Sequence, residues 1–104
     1  MFNSKLLLLA PLAAFVALPV QAQDLKIGWV TTLTTPAALI GRQMVNGANL
    51  ALDHIGHKMG GRTVKILYED DGLNPKTGKQ KTEKLLKKDK VDLMAGYIWS
   101  HVLN

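Results

Sequence analysis

The chain has 104 residues, with 13 Lys and Arg against 8 Asp and Glu, a formal net charge of +5, and no cysteine. This length suits one small domain, and the lack of cysteine excludes disulfides and lipid attachment through cysteine. Seven lysines fall between Lys76 and Lys90, a density typical of a solvated helix face, so we expect no nucleic-acid partner.

The first 22 residues have the pattern of a cleavable secretory signal peptide. Lys5 is their only charge, the apolar run Leu6–Leu18 follows, and Val20-Gln21-Ala22 offers the small side chains that signal peptidases need. The apolar run is shorter than the roughly 20 residues that span a bilayer. We therefore expect a signal peptide over residues 1–22 and a mature chain that begins near Gln23 and works in the periplasm; an uncleaved anchor is the alternative.

After this segment, short apolar runs alternate with amphipathic stretches. The runs are typical of buried strands, and the stretches, in which apolar residues recur every three or four positions, are typical of helices. The predicted strands are 25–30, 63–68 and 91–95, the predicted helices are 37–55 and 77–89, and Gly60-Gly61 predicts a turn. This order predicts an α/β fold in which a parallel sheet carries helices on both faces and the crossovers are right-handed.

Ligands of such sheets bind beyond the carboxyl ends of the strands, here the segments 31–35, 69–73 and 96–101. The cluster Glu69-Asp70-Asp71 could hold calcium or act in acid–base catalysis, but carboxylates at the end of a strand more commonly accept hydrogen bonds from loop N–H groups. His54 and His57 share a helical face without a third metal ligand, and His101 has no acidic partner for nucleophilic catalysis. No phosphate-binding G-x-G-x-x-G follows the first strand. We expect no catalytic residue, metal or cofactor.

Several blocks along the chain together resemble one known family. The blocks are Lys26-Ile27-Gly28, Leu33-Thr34-Thr35-Pro36-Ala37, Gly41, Asn46-Gly47-Ala48-Asn49-Leu50-Ala51, Gly61-Arg62 to Glu69-Asp70-Asp71, Pro75, and Val91-Asp92 to Gly96 and Ser100. Their order and spacing resemble the start of a periplasmic binding protein of the type I fold, within the branched-chain amino acid (Leu/Ile/Val) binding family of ABC transporters. That family usually has glycine where Thr35 stands. Its members are several times longer, so the resemblance implies that residues 23–104 are a truncated N-terminal part of the first, Rossmann-like lobe.

The resemblance implies the substrate-binding component of an ABC transporter, which captures a small carboxylic solute in the periplasm and delivers it to an inner-membrane permease. The ligand would be a branched-chain amino acid or an aromatic acid, and the complete protein would be a monomer. Ser100 matches a serine that binds the ligand carboxylate, and Ile40 matches a position that faces the ligand side chain. Trp99 favours an aromatic or bulky apolar acid, and Thr34 is a candidate hydroxyl donor to the ligand.

Each of these residues also has a structural alternative. Ser100 could cap the next helix, Trp99 could pack between helices, Ile40 could lie in the core, and Thr34 could belong to an ordinary turn. Three other functions stay open: a ligand-sensing ectodomain with the same fold, a small exported hydrolase, and a nonfunctional fragment. Because two lobes close together on the ligand, we expect part of one lobe to bind nothing tightly alone and, with exposed strand edges, to be of low stability.

Overall fold

The computed structural model describes residue 14, residues 16–18 and residues 22–103. The predicted signal peptide, residues 1–22, therefore lies almost entirely outside the described residues. Within the part that is described, no helix is long and apolar enough to cross a membrane.

The described chain alternates strands and helices, as the sequence predicts. The elements are β1 (Leu25–Thr31), α1 (Ala38–His54), β2 (Lys58–Met59), β3 (Arg62–Asp70), α2 (Pro75–Lys87), β4 (Leu93–Gly96) and α3 (Ser100–Leu103). The predicted strands correspond to β1, β3 and β4 and the predicted helices to α1 and α2, each to within about two residues at either end.

The strand β2 differs from the expectation of a plain turn at Gly60-Gly61. Lys58 pairs with Thr63, and Met59 pairs with Arg62, in an antiparallel hairpin. Gly60 and Gly61 join the two strands with φ angles of 56° and 76°. These left-handed conformations suit a two-residue hairpin turn, and glycine adopts them without strain. Both residues of β2 are exposed, so no apolar alternation marks this strand in the sequence.

The sheet has the order β2-β3-β1-β4, and β1 pairs in parallel with both β3 and β4. The two long helices lie on opposite faces of it. The hydroxyl of Tyr68 donates to Asn49 of α1, whereas the next residue, Glu69, contacts Lys81 and Lys84 of α2. Because adjacent residues of a strand point to opposite faces, these contacts confirm the predicted parallel sheet with helices on both faces.

The core between these layers is small. Val30, Val64 and Leu85 are buried in it, whereas Leu50 and Leu93 are each more than half exposed. Burial of apolar side chains is the main favourable contribution to folding, so a core with few buried apolar side chains favours low stability. The low stability expected from the sequence stays a prediction.

The two long helices begin differently. Asn74 precedes α2, and its side chain accepts a hydrogen bond from the N–H of Thr77 at 3.1 Å, with Pro75 in the first turn. Among the residues that the structure describes, no side chain caps α1. It is positioned instead by close packing, since an added Cβ at Gly41 would lie 1.8 Å from the carbonyl oxygen of Thr32.

Gly47 provides a matched comparison on the same helix. An added Cβ at Gly47 would meet no atom of the described residues within 4 Å. The loop after β1 lies so close to α1 that position 41 requires glycine. At position 47 no such contact exists among the described residues, and glycine there only lowers the intrinsic helix propensity.

Alanine substitutions at these two glycines should have opposite effects on the free energy of unfolding. Gly41→Ala should lower it by about 1–3 kcal/mol, because α1 must move away from the loop after β1. Gly47→Ala should raise it by about 0.5–1 kcal/mol, because alanine loses less backbone freedom in a helix than glycine. Urea denaturation of the chain recovered after export, followed by circular dichroism, measures both values. Equal effects of the two substitutions would contradict this packing of α1.

Candidate ligand-binding edge

The connections that follow β1, β3 and β4 meet at one edge of the sheet, because parallel strands end on the same side. They comprise residues 32–37, 71–74 and 97–99. Two backbone hydrogen bonds continue the pairing beyond the strands, from Asp71 N to Thr31 O at 3.0 Å and from Tyr97 N to Val30 O at 2.7 Å. This is the edge at which the sequence places the candidate site.

Asp70, the last residue of β3, holds the loop after β1 in place. Its Oδ1 accepts hydrogen bonds from the N–H groups of Leu33 at 2.8 Å and Gly72 at 2.9 Å, and its Oδ2 accepts one from the hydroxyl of Thr34 at 2.6 Å. Burial raises the pKa of the Asp70 carboxyl, but the hydrogen bonds from Thr34, Leu33 and Gly72 outweigh burial and hold that pKa below its ordinary value. Asp70 therefore binds this loop as a carboxylate.

Asp71 makes a second connection beside the first. It is fully buried, and its Oδ1 accepts hydrogen bonds from the hydroxyl of Thr32 at 2.6 Å and from the N–H of Leu73 at 2.8 Å. We call Asp70 and Asp71 with these hydrogen bonds the aspartate clasp. The expectation that the acidic cluster binds loop N–H groups is confirmed for Asp70 and Asp71, and it is wrong for Glu69, which contacts lysines of α2 instead. Thr32 was not singled out from the sequence, because nothing distinguishes it from the other threonines of the same loop.

Glu69, the third acidic residue of the cluster, points to the other face of the sheet. It contacts Lys84, and its Oε2 lies 2.9 Å from Lys81 Nζ. The hydrogen bond from Lys84 is the main reason that the pKa of Glu69 lies below its ordinary value; burial opposes this effect and Lys81 adds to it. Glu69 therefore joins β3 to α2.

Thr34 and Thr35 occupy the exposed part of the loop after β1. The hydroxyl of Thr34 donates its proton to Asp70, so its oxygen can only accept a hydrogen bond from a ligand. To act as the predicted hydroxyl donor, Thr34 would have to break its bond to Asp70. Thr35 has a φ of 71°, in the left-handed region that glycine adopts without strain. This conformation would suit the glycine that the family resemblance implies at this position.

Trp99 and Ser100 follow β4 on the neighbouring strand. Ser100 is the exposed first residue of α3, so its side chain is accessible to a ligand, whereas Trp99 occupies the cap position before the helix, where its carbonyl accepts from the N–H of Val102. Trp99 is partly buried, with its ring centroid 6.4 Å from that of His101. Its Nε1 is buried and has no hydrogen-bond partner within the described part of the chain. An indole N–H without an acceptor is unfavourable, but this atom has no accessible surface, so a ligand oxygen would reach it only after the Trp99 side chain moves.

Ile40 lies in the first turn of α1 and is 43% exposed, which argues against the alternative of a core residue. The four predicted residues thus fall into two pairs. Thr34 and Ile40 belong to the connection after β1, and Trp99 and Ser100 belong to the connection after β4. No hydrogen bond links the two pairs within residues 22–103.

The chain that forms this edge matches a known protein family. A family model described as periplasmic binding protein matches residues 24–104, which is most of the chain. The chain belongs to the periplasmic binding protein family. The resemblance predicted from the sequence is thereby confirmed.

Relatives of this periplasmic binding protein chain support the same assignment. It is 38% identical over 82 residues to a Leu/Ile/Val-binding protein of Rhizobium johnstonii, covering 76% of the chain and 22% of the relative. It matches the structure of an ABC transporter substrate-binding protein from Sphaerobacter thermophilus with a TM-score of 0.73 and 34% identity, over 78% of the chain and 22% of that protein. It also matches a solute-binding protein of Rhodopseudomonas palustris in complex with 4-hydroxybenzoate, with a TM-score of 0.72, 30% identity and the same coverage.

The chain spans 22% of the length of these relatives. Contacts of Ser100, Trp99, Ile40 and Thr34 with a ligand stay predictions. The structure shows that the aspartate clasp fixes the position of the loop that carries Thr34 and leads to Ile40.

The aspartate clasp should make stability depend on acid pH. A carboxyl group with a lowered pKa in the folded protein stabilises it above the unfolded-state pKa, and this contribution is lost as pH falls through the folded-state pKa. Asp70 and Glu69 both have lowered pKa values, so the free energy of unfolding should fall on acidification from neutral pH to below about pH 4.

The variant Asp70→Asn should show a shallower acid decrease and a lower stability at pH 7. Urea denaturation at a series of pH values measures both quantities. An acid decrease as steep in Asp70→Asn as in the original chain would contradict the role given to this carboxylate.

Proposed function

We propose that the chain supplies part of the ligand-binding cleft of a periplasmic substrate-binding protein, which captures a small carboxylic solute and delivers it to an ABC permease of the inner membrane. The protein would bind and release its ligand without chemical change. Residues 1–22 would direct export to the periplasm, and residues 23–104 would form the first part of one lobe.

The observation that carries this proposal is the open carboxyl edge of the sheet in a chain of this family. Three connections end there, and Ser100 is exposed on one of them. A serine hydroxyl can donate to a carboxylate, and a hydrogen bond to a charged group contributes about 1.5–3 kcal/mol. Ser100 is therefore our candidate for the contact with the ligand carboxylate.

The ligand would be an aromatic acid or a branched-chain amino acid. The names of two relatives, a Leu/Ile/Val-binding protein and a solute-binding protein in complex with 4-hydroxybenzoate, support both classes. The partly buried Trp99 favours the aromatic class, because an aromatic ring can pack against the indole. Ile40, exposed in the first turn of α1, offers an apolar contact from the other connection.

Binding in such proteins requires two lobes that close on the ligand around a hinge. The residues of one lobe then make only part of the contacts, and the closed form is what a permease would recognise. Thr34 would act as an acceptor in this cleft, since its proton is directed at Asp70.

A chimeric binding protein tests the proposal, because it supplies the second lobe. Residues 24–104 of the chain replace the matching segment of the Sphaerobacter thermophilus substrate-binding protein, and tryptophan fluorescence reports binding of benzoate, a phenylpropanoid acid and leucine. We expect the aromatic acids to bind more tightly than leucine. Ser100→Ala should weaken binding about 10- to 100-fold, through loss of the charge-assisted hydrogen bond.

Two controls accompany the chimera. Thr63→Ala removes an exposed hydroxyl at the opposite end of the sheet and should leave the affinity unchanged. The chain alone, without a second lobe, should show no micromolar binding by calorimetry. Unchanged affinity in Ser100→Ala would contradict the role of this serine, and tightest binding of leucine would contradict the aromatic preference.

A further inference from the structure

A cleft of about 360 Å³ lies between α1, β3 and the loop after β1. It is lined by Leu33, Arg42, Val45, Asn46 and Tyr68. These residues come from the loop after β1, from α1 and from β3. None of the lining residues belongs to β4, which is separated from β3 by β1.

The cleft is distinct from the proposed ligand contacts. Ile40 and Arg42 are two positions apart on α1, and two helical positions differ by about 200° around the helix axis. The two side chains therefore leave the helix on opposite flanks, Arg42 toward Leu33 and β3. A ligand in this cleft would contact neither Trp99 nor Ser100.

Arg42 is a cation without a carboxylate partner inside the described chain. Its only hydrogen bond there is a long one, from Nη2 to Leu33 O at 3.5 Å, and no Asp or Glu oxygen lies within ion-pair distance. Asp70, which is bound to Leu33 N, is already occupied by two N–H groups and the hydroxyl of Thr34. Most of the five guanidinium N–H donors of Arg42 are therefore available to an anion.

The remaining walls of the cleft suit an apolar body. Leu33 and Val45 offer aliphatic contacts, and the ring of Tyr68 is held in place because its hydroxyl donates to Asn49 Oδ1 at 2.7 Å. Tyr68 also packs against Trp29, with the ring centroids 6.1 Å apart. The side-chain amide of Asn46 adds one neutral hydrogen-bonding group. One cation among mostly apolar walls, in a cleft of ligand size, matches a small amphipathic anion.

We propose that this cleft is a second, weak binding site for a small monocarboxylate with an apolar body. The planar fork of Arg42 receives the carboxylate, because guanidinium and carboxylate match in geometry. Leu33, Val45 and the Tyr68 ring cover the apolar part. Because the site is open to solvent and has one charged group, the Kd is on the order of millimolar.

An NMR titration tests this site in the chain recovered after export. The probe is benzoate, and its uncharged isostere benzamide is titrated in parallel at low ionic strength. We expect benzoate to shift the backbone amide signals of Leu33, Val45, Asn46 and Tyr68 together, with one millimolar Kd. Benzamide should bind at least about fivefold more weakly, because it lacks the charge.

Substitutions separate this site from the proposed function. Arg42→Gln should weaken benzoate binding about fivefold or more, whereas Lys76→Gln, the same loss of charge on the opposite face of the sheet, should leave it within about twofold. Ser100→Ala should also leave it unchanged. The proposal is overturned if Arg42→Gln has no effect, if benzamide binds as well as benzoate, or if the shifts lie only at Trp99 and Ser100. The last result would support the proposed function while removing this second site.

Discussion

Two carboxylates at the end of β3 hold two of the three connections at the carboxyl edge in place. Asp70 and Asp71 accept five hydrogen bonds, from the loop after β1 and from the turn that follows β3. The pairing of β1 with β3 ends at Thr31 and Asp70, where the aspartate clasp begins. The clasp thus keeps the loop after β1 beside the end of β3. The position of Gly41 against the Thr32 carbonyl depends on the same loop conformation, and with it the position of α1.

The clasp also explains how an acidic edge is compatible with the carboxylate ligand that we propose. The oxygens of Asp70 are directed at N–H and hydroxyl donors of the chain itself, and Asp71 is fully buried. On the neighbouring connection, the exposed Ser100 offers a hydroxyl donor instead. The edge is thus divided between an acceptor side at Thr34 and a donor side at Ser100. A carboxylate fits the donor side, which agrees with the ligand class that we propose.

The sequence is sufficient to predict the strands and helices because their hydrophobic periods are clear. The short apolar runs at β1, β3 and β4 and the amphipathic pattern of α1 leave little ambiguity about the α/β class. β2 has only two residues, both exposed, and carries no such pattern. Its hairpin depends on the backbone conformation of Gly60 and Gly61, which a sequence indicates only as a turn.

The sequence predicts where the candidate site lies in the fold, but only part of how its side chains are arranged. Parallel strands put the ends of β1, β3 and β4 at one edge, so the neighbourhood of Thr34 and Ser100 follows from topology alone. The direction of the Thr34 hydroxyl and the exposure of Ile40 depend on tertiary contacts that no local pattern encodes. Arg42 is an ordinary helix residue in the sequence, and only the fold reveals that it has no acidic partner among the described residues.

The most direct test of this account is hydrogen exchange of individual backbone amides in Asp70→Ala and in the original chain. If the clasp holds the edge, the amides of Leu33 and Gly72 exchange about tenfold faster or more in the variant, because each loses a charge-assisted hydrogen bond. The amides of the β1–β3 ladder keep their protection. Unchanged exchange at Leu33 and Gly72, or equal loss of protection throughout the sheet, would contradict the claim that this carboxylate positions the binding edge.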